Sequence, residues 1–149
     1  MQDYIKNNPV ILGLRRIRDL KPEQVADLIE GSIAKGIHYF DIADIYSGGI
    51  CESNLGAALK LKPYLREQMF IQTKCGIVRK PGEGTVRDLS KEHILEAVNA
   101  SLKRMGLTYI DSLLLHRPDV FRDSGEIHAA FKQLYEEGKV KHFGVSNRD

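Results

Sequence analysis

The chain has 149 residues, enough for one ordinary domain with a buried core. Its composition, 42% hydrophobic and 28% charged, is that of a soluble globular protein, and a net charge of +2 gives no pointer to nucleic acid or an anionic membrane. No apolar run approaches the roughly 18–20 residues that cross a bilayer, and residues 1–8 are polar where a signal peptide is apolar, so a cytoplasmic protein is expected.

Residues 10–14 form a short apolar run, and Gly13 lets the backbone bend or approach something closely at its end. Arg15, Arg16 and Arg18 follow on a loop. Pro22 suits the first turn of a helix whose Val25, Leu28, Ile29, Ser32 and Ile33 share one face, and Gly36 suits its stop. An apolar-aromatic run over residues 37–40 has strand character and ends at Asp41, with Tyr46 on the loop beyond it. Gly48 and Gly49 make that loop permissive. A short helix over about residues 52–61 buries Leu55, Ala58 and Leu59 before Pro63 closes it. Residues 69–73 are again strand-like and end at Lys74.

Residues 75–89 carry Gly76, Arg79, Lys80, Pro81, Gly82, Gly84 and Arg87 and read as an aperiodic loop, a length that is more often functional or mobile than structural. Ser90 is a good N-cap for a helix through Met105, with Ile94, Val98, Leu102 and Met105 on one face until Gly106. Residues 110–115 form a further strand ending at His116. A helix over about residues 126–137 presents Ile127, Phe131 and Leu134, stops at Gly138 and leads to a strand over residues 142–145, followed by Ser146 and Asn147. Cys51 and Cys75 have no CxxC spacing and no His at zinc-ligand distance, which predicts buried thiols of a reducing compartment and no metal clip.

Strand, loop and helix in alternation predict an α/β fold with parallel strands joined by crossover helices. A doubly wound sheet and a (β/α) TIM-type barrel both fit, and both place ligands beyond the C-terminal strand ends. The polar residues collect there: Asp41 and Tyr46, then Lys74, then His116, then Ser146 and Asn147. No GxGxxG follows the first strand, which favours the barrel. These groups have a specific joint chemistry. A phenol titrates near pH ~10 in water, so Tyr46 donates a proton at neutral pH only if a cation such as Lys74 stabilises its phenolate. Asp41 would keep that ammonium charged and oriented, and His116 would hold a substrate carbonyl. The set suits reduction of a C=O with the hydride supplied from elsewhere. A metal-dependent hydrolase is the poorer reading, since His116 has no HxH partner.

The runs Phe40-Asp41-Ile42-Ala43-Asp44-Ile45-Tyr46, Ile71-Gln72-Thr73-Lys74-Cys75-Gly76, Leu115-His116-Arg117-Pro118-Asp119, Gly138-Lys139-Val140 and Phe143-Gly144-Val145-Ser146-Asn147 together resemble the aldo-keto reductase family in order and spacing. The resemblance implies a (β/α)8 barrel fold that uses NADPH, with Asp41, Tyr46, Lys74 and His116 matching the family's catalytic tetrad. It implies that Ser146 and Asn147 hold the nicotinamide carboxamide, that Asp41 also borders the cofactor, and that Arg16 approaches it from the first strand. The match spans about the first half of the family, so the expected form is a partial barrel of about five strands and four helices in one domain, residues 1–149. Two functions are therefore expected. One is NADPH-dependent reduction of an aldehyde or ketone by Tyr46. The other is a catalytically inactive half-barrel, an interaction module or remnant whose open edges at residues 10–14 and 142–145 invite self-association.

Overall fold

The structure, a computed structural model, describes residues 10–82, 84–116, 118 and 120–146. In chain order its elements are β1 (Ile11–Gly13), α1 (Pro22–Ala34), β2 (Tyr39–Asp41), α2 (Ile50–Leu61), β3 (Phe70–Cys75), β4 (Ile77–Lys80), β5 (Gly84–Arg87), α3 (Lys91–Met105), β6 (Ile110–His116), α4 (Val120–Glu136) and β7 (Val140–Ser146). Five strands form one parallel sheet in the order β1-β2-β3-β6-β7. Each strand lies beside the next parallel strand of the chain, reached through one helix. A doubly wound sheet reverses its order at a switch point and this one does not, so the arrangement is that of a (β/α) barrel over five strands and four helices.

The register assigns each side chain to one face. Asp41 pairs with Gln72, Gln72 with Ser112 and Ser112 with His142, so these four look the same way. Phe40, Ile71, Leu113 and Leu115 alternate with them, look the other way and are fully buried beneath the helices. There they join Ile29 of α1, Leu55 of α2, Ile94 and Val98 of α3, and Leu134 of α4 in one core. Burying each such side chain stabilises the fold by roughly 1.5–3 kcal/mol.

Local chemistry sets the helix ends. Pro22 opens α1, where the Lys21 backbone N–H donates to Gln24 Oε1 at 2.8 Å, and Gly36 follows it at φ 86°. Ser90 caps α3 by accepting from the His93 N–H at 3.2 Å, and Gly106 ends it at φ 65°. The crossing of α2 and α3 depends on Gly56, since a Cβ there would lie 2.3 Å from the Arg104 carbonyl oxygen and 2.8 Å from Met105 Cα. Beside that crossing, the fully buried Glu52 ties three elements together. It accepts from Thr73 Oγ1 on β3 at 2.8 Å, from Ser101 Oγ on α3 at 3.0 Å and from the Arg104 guanidinium at 2.6 Å and 2.9 Å. Such a carboxylate is held by charge-assisted bonds on both oxygens.

The structure departs from the sequence reading in four places. Residues 75–89 are not an aperiodic loop: β4 and β5 form an antiparallel hairpin, pairing Val78 with Val86 and Arg79 with Thr85. Pro81 and Gly82, the latter at φ 78°, make its turn, and the hairpin's mostly exposed faces leave no apolar alternation to read. Lys74 and His116 are the penultimate and last residues within β3 and β6, because the ladder continues past the apolar run. The last helix begins at Val120, with Gly125 inside it at a cost of about 1 kcal/mol relative to alanine. The last strand begins at Val140, whose side chain is buried. No described helix is long and apolar enough to cross a membrane.

Candidate active site

Asp41 is the last residue of β2, and the chain leaves the strand without leaving the sheet. The Ile42 N–H donates to the Gln72 carbonyl at 2.8 Å and the Asp44 N–H to the Lys74 carbonyl at 3.1 Å. On the other side the Leu14 N–H donates to the Asp41 carbonyl at 2.8 Å. A tight turn then brings the Tyr46 N–H to the Ala43 carbonyl at 3.2 Å and starts a short 3-10 segment, Tyr46–Gly49. Ser47, Gly48 and Gly49 all take positive φ there, which explains the two glycines.

This path brings three of the expected site residues into one hydrogen-bonded set. Lys74 Nζ donates to Asp41 Oδ2 at 2.6 Å and to the Ile42 carbonyl at 3.4 Å, and it stands 3.5 Å from the Tyr46 hydroxyl. The side chains of Lys74 and Asp41 are 11% and 23% exposed, so the pair is poorly screened by solvent. The Lys74 ammonium also lies 5.4 Å from the Tyr46 ring centre, and the Arg15 guanidinium lies 5.9 Å from it on the exposed side. The phenol oxygen thus faces an ammonium that a carboxylate anchors in place.

His116 is 2% exposed at the end of β6, and strand alternation puts it on the face that carries Lys74, since Lys74 pairs with Leu114. Its backbone pairs with that of Ser146 at the end of β7. Arg16 is exposed on the turn after β1. Asn147 lies outside the described residues. Among the described residues no group of three or more His, Cys, Asp or Glu side chains is placed to hold a metal ion.

Sequence reasoning missed four neighbours of this set: Arg15, Tyr39, Gln72 and Ser112. Gln72 Nε2 donates to Asp41 Oδ1 at 2.8 Å, while its Oε1 accepts from Tyr39 at 2.6 Å and from Ser112 at 3.0 Å. The available signal was spacing. Tyr39 and Gln72 lie two residues before Asp41 and Lys74, on the same face of their strands. On the opposite face, burial raises the titration of two further groups. Asp44 is pushed up from 3.8 to about 7 by burial and by the Glu52 charge, and the Cys75 thiol is pushed up by burial.

The parallel (β/α) sheet thus carries a carboxylate, an ammonium and a phenol joined at its C-terminal edge, the end at which (β/α) barrels place their ligands. The Aldo/keto reductase family model matches residues 9–149, and the chain belongs to that family. It is 41% identical to the oxidoreductase YdhF of Escherichia coli over 142 residues, covering 92% of this chain and 48% of that protein. It is 40% identical to a 6-dehydroglucose reductase of Agrobacterium fabrum, covering 99% of this chain and 52% of that one. Among solved structures, the holo form of the aldo-keto reductase AKR11C1 from Bacillus halodurans superposes with a TM-score of 0.78 at 32% identity, covering 92% of this chain and 45% of the other. The chain thus spans about half the length of the curated relatives it matches.

Proposed function

We propose that this chain carries the proton-donating part of an NADPH-dependent reductase site that converts an aldehyde or ketone to an alcohol, with Tyr46 as general acid. The observation that carries the reading is the Lys74 ammonium set between the Asp41 carboxylate at 2.6 Å and the Tyr46 hydroxyl at 3.5 Å. Tyr46 gives its proton to the oxygen that becomes the alcohol, Lys74 stabilises the phenolate left behind, and Asp41 holds Lys74 charged and in place. His116 orients the carbonyl oxygen from the end of β6. Ser146 and Asn147 hold the nicotinamide carboxamide, Asp41 borders it, and Arg16 approaches the cofactor from the turn after β1. The residues present fit the reacting end of such a cofactor: the face around Asp41 and Tyr46 is partly open, and the exposed Arg15 and Arg16 bring positive charge to its rim. When bound, the reduced nicotinamide supplies the hydride. The name of the Agrobacterium relative adds an oxidised sugar to the carbonyl substrates worth assaying.

The test is NADPH titration of the 149-residue chain, followed by tyrosine quenching and cofactor emission, with light scattering on the same sample. Saturable micromolar binding, with aldehyde reduction that Tyr46→Phe lowers by about 100-fold or more while binding persists, is the expected result. Absence of binding up to millimolar cofactor refutes it for this chain. A second reading is favoured by the exposure of Val10 (55%), Ile11 (51%) and Val145 (53%) at the two outer strands, each of which pairs on one side only among the described residues. That reading is a non-catalytic half-barrel that associates through these edges. Self-association by scattering together with no cofactor binding would select it.

A further inference from the structure

We infer that Gln72 is a positioning residue of this site, fixing the Asp41 carboxylate so that Lys74 is held toward Tyr46; the inference rests on the reading of Tyr46 as proton donor. Asp41, Gln72 and Ser112 are direct cross-strand neighbours on β2, β3 and β6, and Tyr39 precedes Asp41 by two residues on the same face. An ionised carboxylate only accepts hydrogen bonds. Asp41 Oδ1, at 2.8 Å from the Gln72 amide, must therefore face the NH2 group and not the carbonyl. The Gln72 oxygen then faces Tyr39 and Ser112, and both hydroxyls donate to it, at 2.6 Å and 3.0 Å. Every direction in the network follows from the charge on Asp41.

The consequence lies at the other carboxylate oxygen. A carboxylate tied by one bond to a flexible ammonium can rotate and carry that ammonium with it. Here Oδ1 is tied to Gln72 and Oδ2 to Lys74, so the carboxylate plane is fixed from two sides. Gln72 is 9% exposed and Ser112 6%, and Tyr39 packs against Phe70 with ring centres 4.6 Å apart and planes tilted by 37°, so the amide is itself held by packed neighbours. A neutral amide is needed: it supplies a donor without adding a second negative charge beside Asp41.

The test reads Lys74 directly and so needs no turnover. In 15N-labelled protein the side-chain ammonium signal of Lys74, slowed in exchange by its bond to Asp41, is compared in the wild type and in Gln72→Glu, Gln72→Met and Tyr39→Phe. The Gln72→Met protein should lose the signal, with shifted Tyr46 ring resonances and unchanged amide resonances in α3. Gln72→Glu should lose it at neutral pH and regain it as the pH falls and the new carboxyl, once protonated, donates to Asp41 as the amide does. Tyr39→Phe, which keeps the ring contact with Phe70, should weaken the signal without abolishing it and serves if the Gln72 variants fail to fold. A wild-type Lys74 signal at all pH values in Gln72→Glu, or in Tyr39→Phe where the former does not fold, overturns the inference. Failure of the reductase reading appears elsewhere, as absent NADPH binding or as activity that survives Tyr46→Phe.

Discussion

Replacing Asp44 with asparagine should flatten the pH dependence of stability between about pH 4 and 7, a window set by the rise of this carboxyl from 3.8 to about 7. Asp44 sits on the loop between β2 and Tyr46, and its Oδ1 is shut off from solvent without a hydrogen-bond partner among the described residues. Burial and the Glu52 charge favour the protonated form, against a smaller opposing pull from Arg104 and the backbone N–H groups of Asp44 and Ile45. Between the two values the folded protein keeps a proton that the unfolded chain has released. The stabilisation is therefore complete below about pH 4 and is lost as the pH rises through about 7. At about 1.4 kcal/mol per pH unit the linkage amounts to about 4 kcal/mol as an upper bound. That is a large part of the 5–15 kcal/mol typical of a domain. Urea unfolding followed by circular dichroism at several pH values, on the wild type and Asp44→Asn, measures it. The two proteins should be about equally stable near pH 4.5, with the variant pulling ahead by a few kcal/mol near pH 8. Parallel stability curves would refute the assignment of this proton to Asp44.

Two further substitutions probe the helix layer. Glu52→Gln removes the charge from a fully buried carboxylate bonded to Thr73, Ser101 and Arg104, and should cost about 2–4 kcal/mol, read as a lower urea midpoint with unchanged slope. Gly56→Ala places a methyl group 2.3 Å from the Arg104 carbonyl oxygen, so α2 and α3 must separate, at a cost of roughly 1–3 kcal/mol read as a lower melting temperature.

The sequence discloses the parallel strands through their apolar runs, and the helix ends through Pro22, Ser90 and Gly106, because each signal is local. Asp41, Lys74 and Tyr46 could be grouped because alternation of strand and helix already implies that strand ends converge. Gln72, Tyr39 and Ser112 escaped notice for a physical reason. A polar residue in a strand is ordinarily read as facing solvent, yet the inner face of this sheet is where polar groups meet each other. The hairpin of β4 and β5 was hidden for the opposite reason, since a two-stranded ribbon exposed on both faces needs no apolar alternation. The early start of the last helix was masked by Ser124 and Gly125, which tertiary packing overrides.

The alternation along β3 also bears on how the chain can change over generations. Gln72 and Lys74 face inward, while Ile71, Thr73 and Cys75 face the helices, and Thr73 is bonded there to Glu52. Inserting or deleting one codon inside this strand would exchange the two sets, sending an ammonium into the oily layer and isoleucine into the polar one. A point change at any of these positions leaves the remaining side chains on their own faces of the sheet. A one-residue shift of register within β3 undoes the core and the site in the same event, so this strand should tolerate substitution far better than a one-residue change in its length.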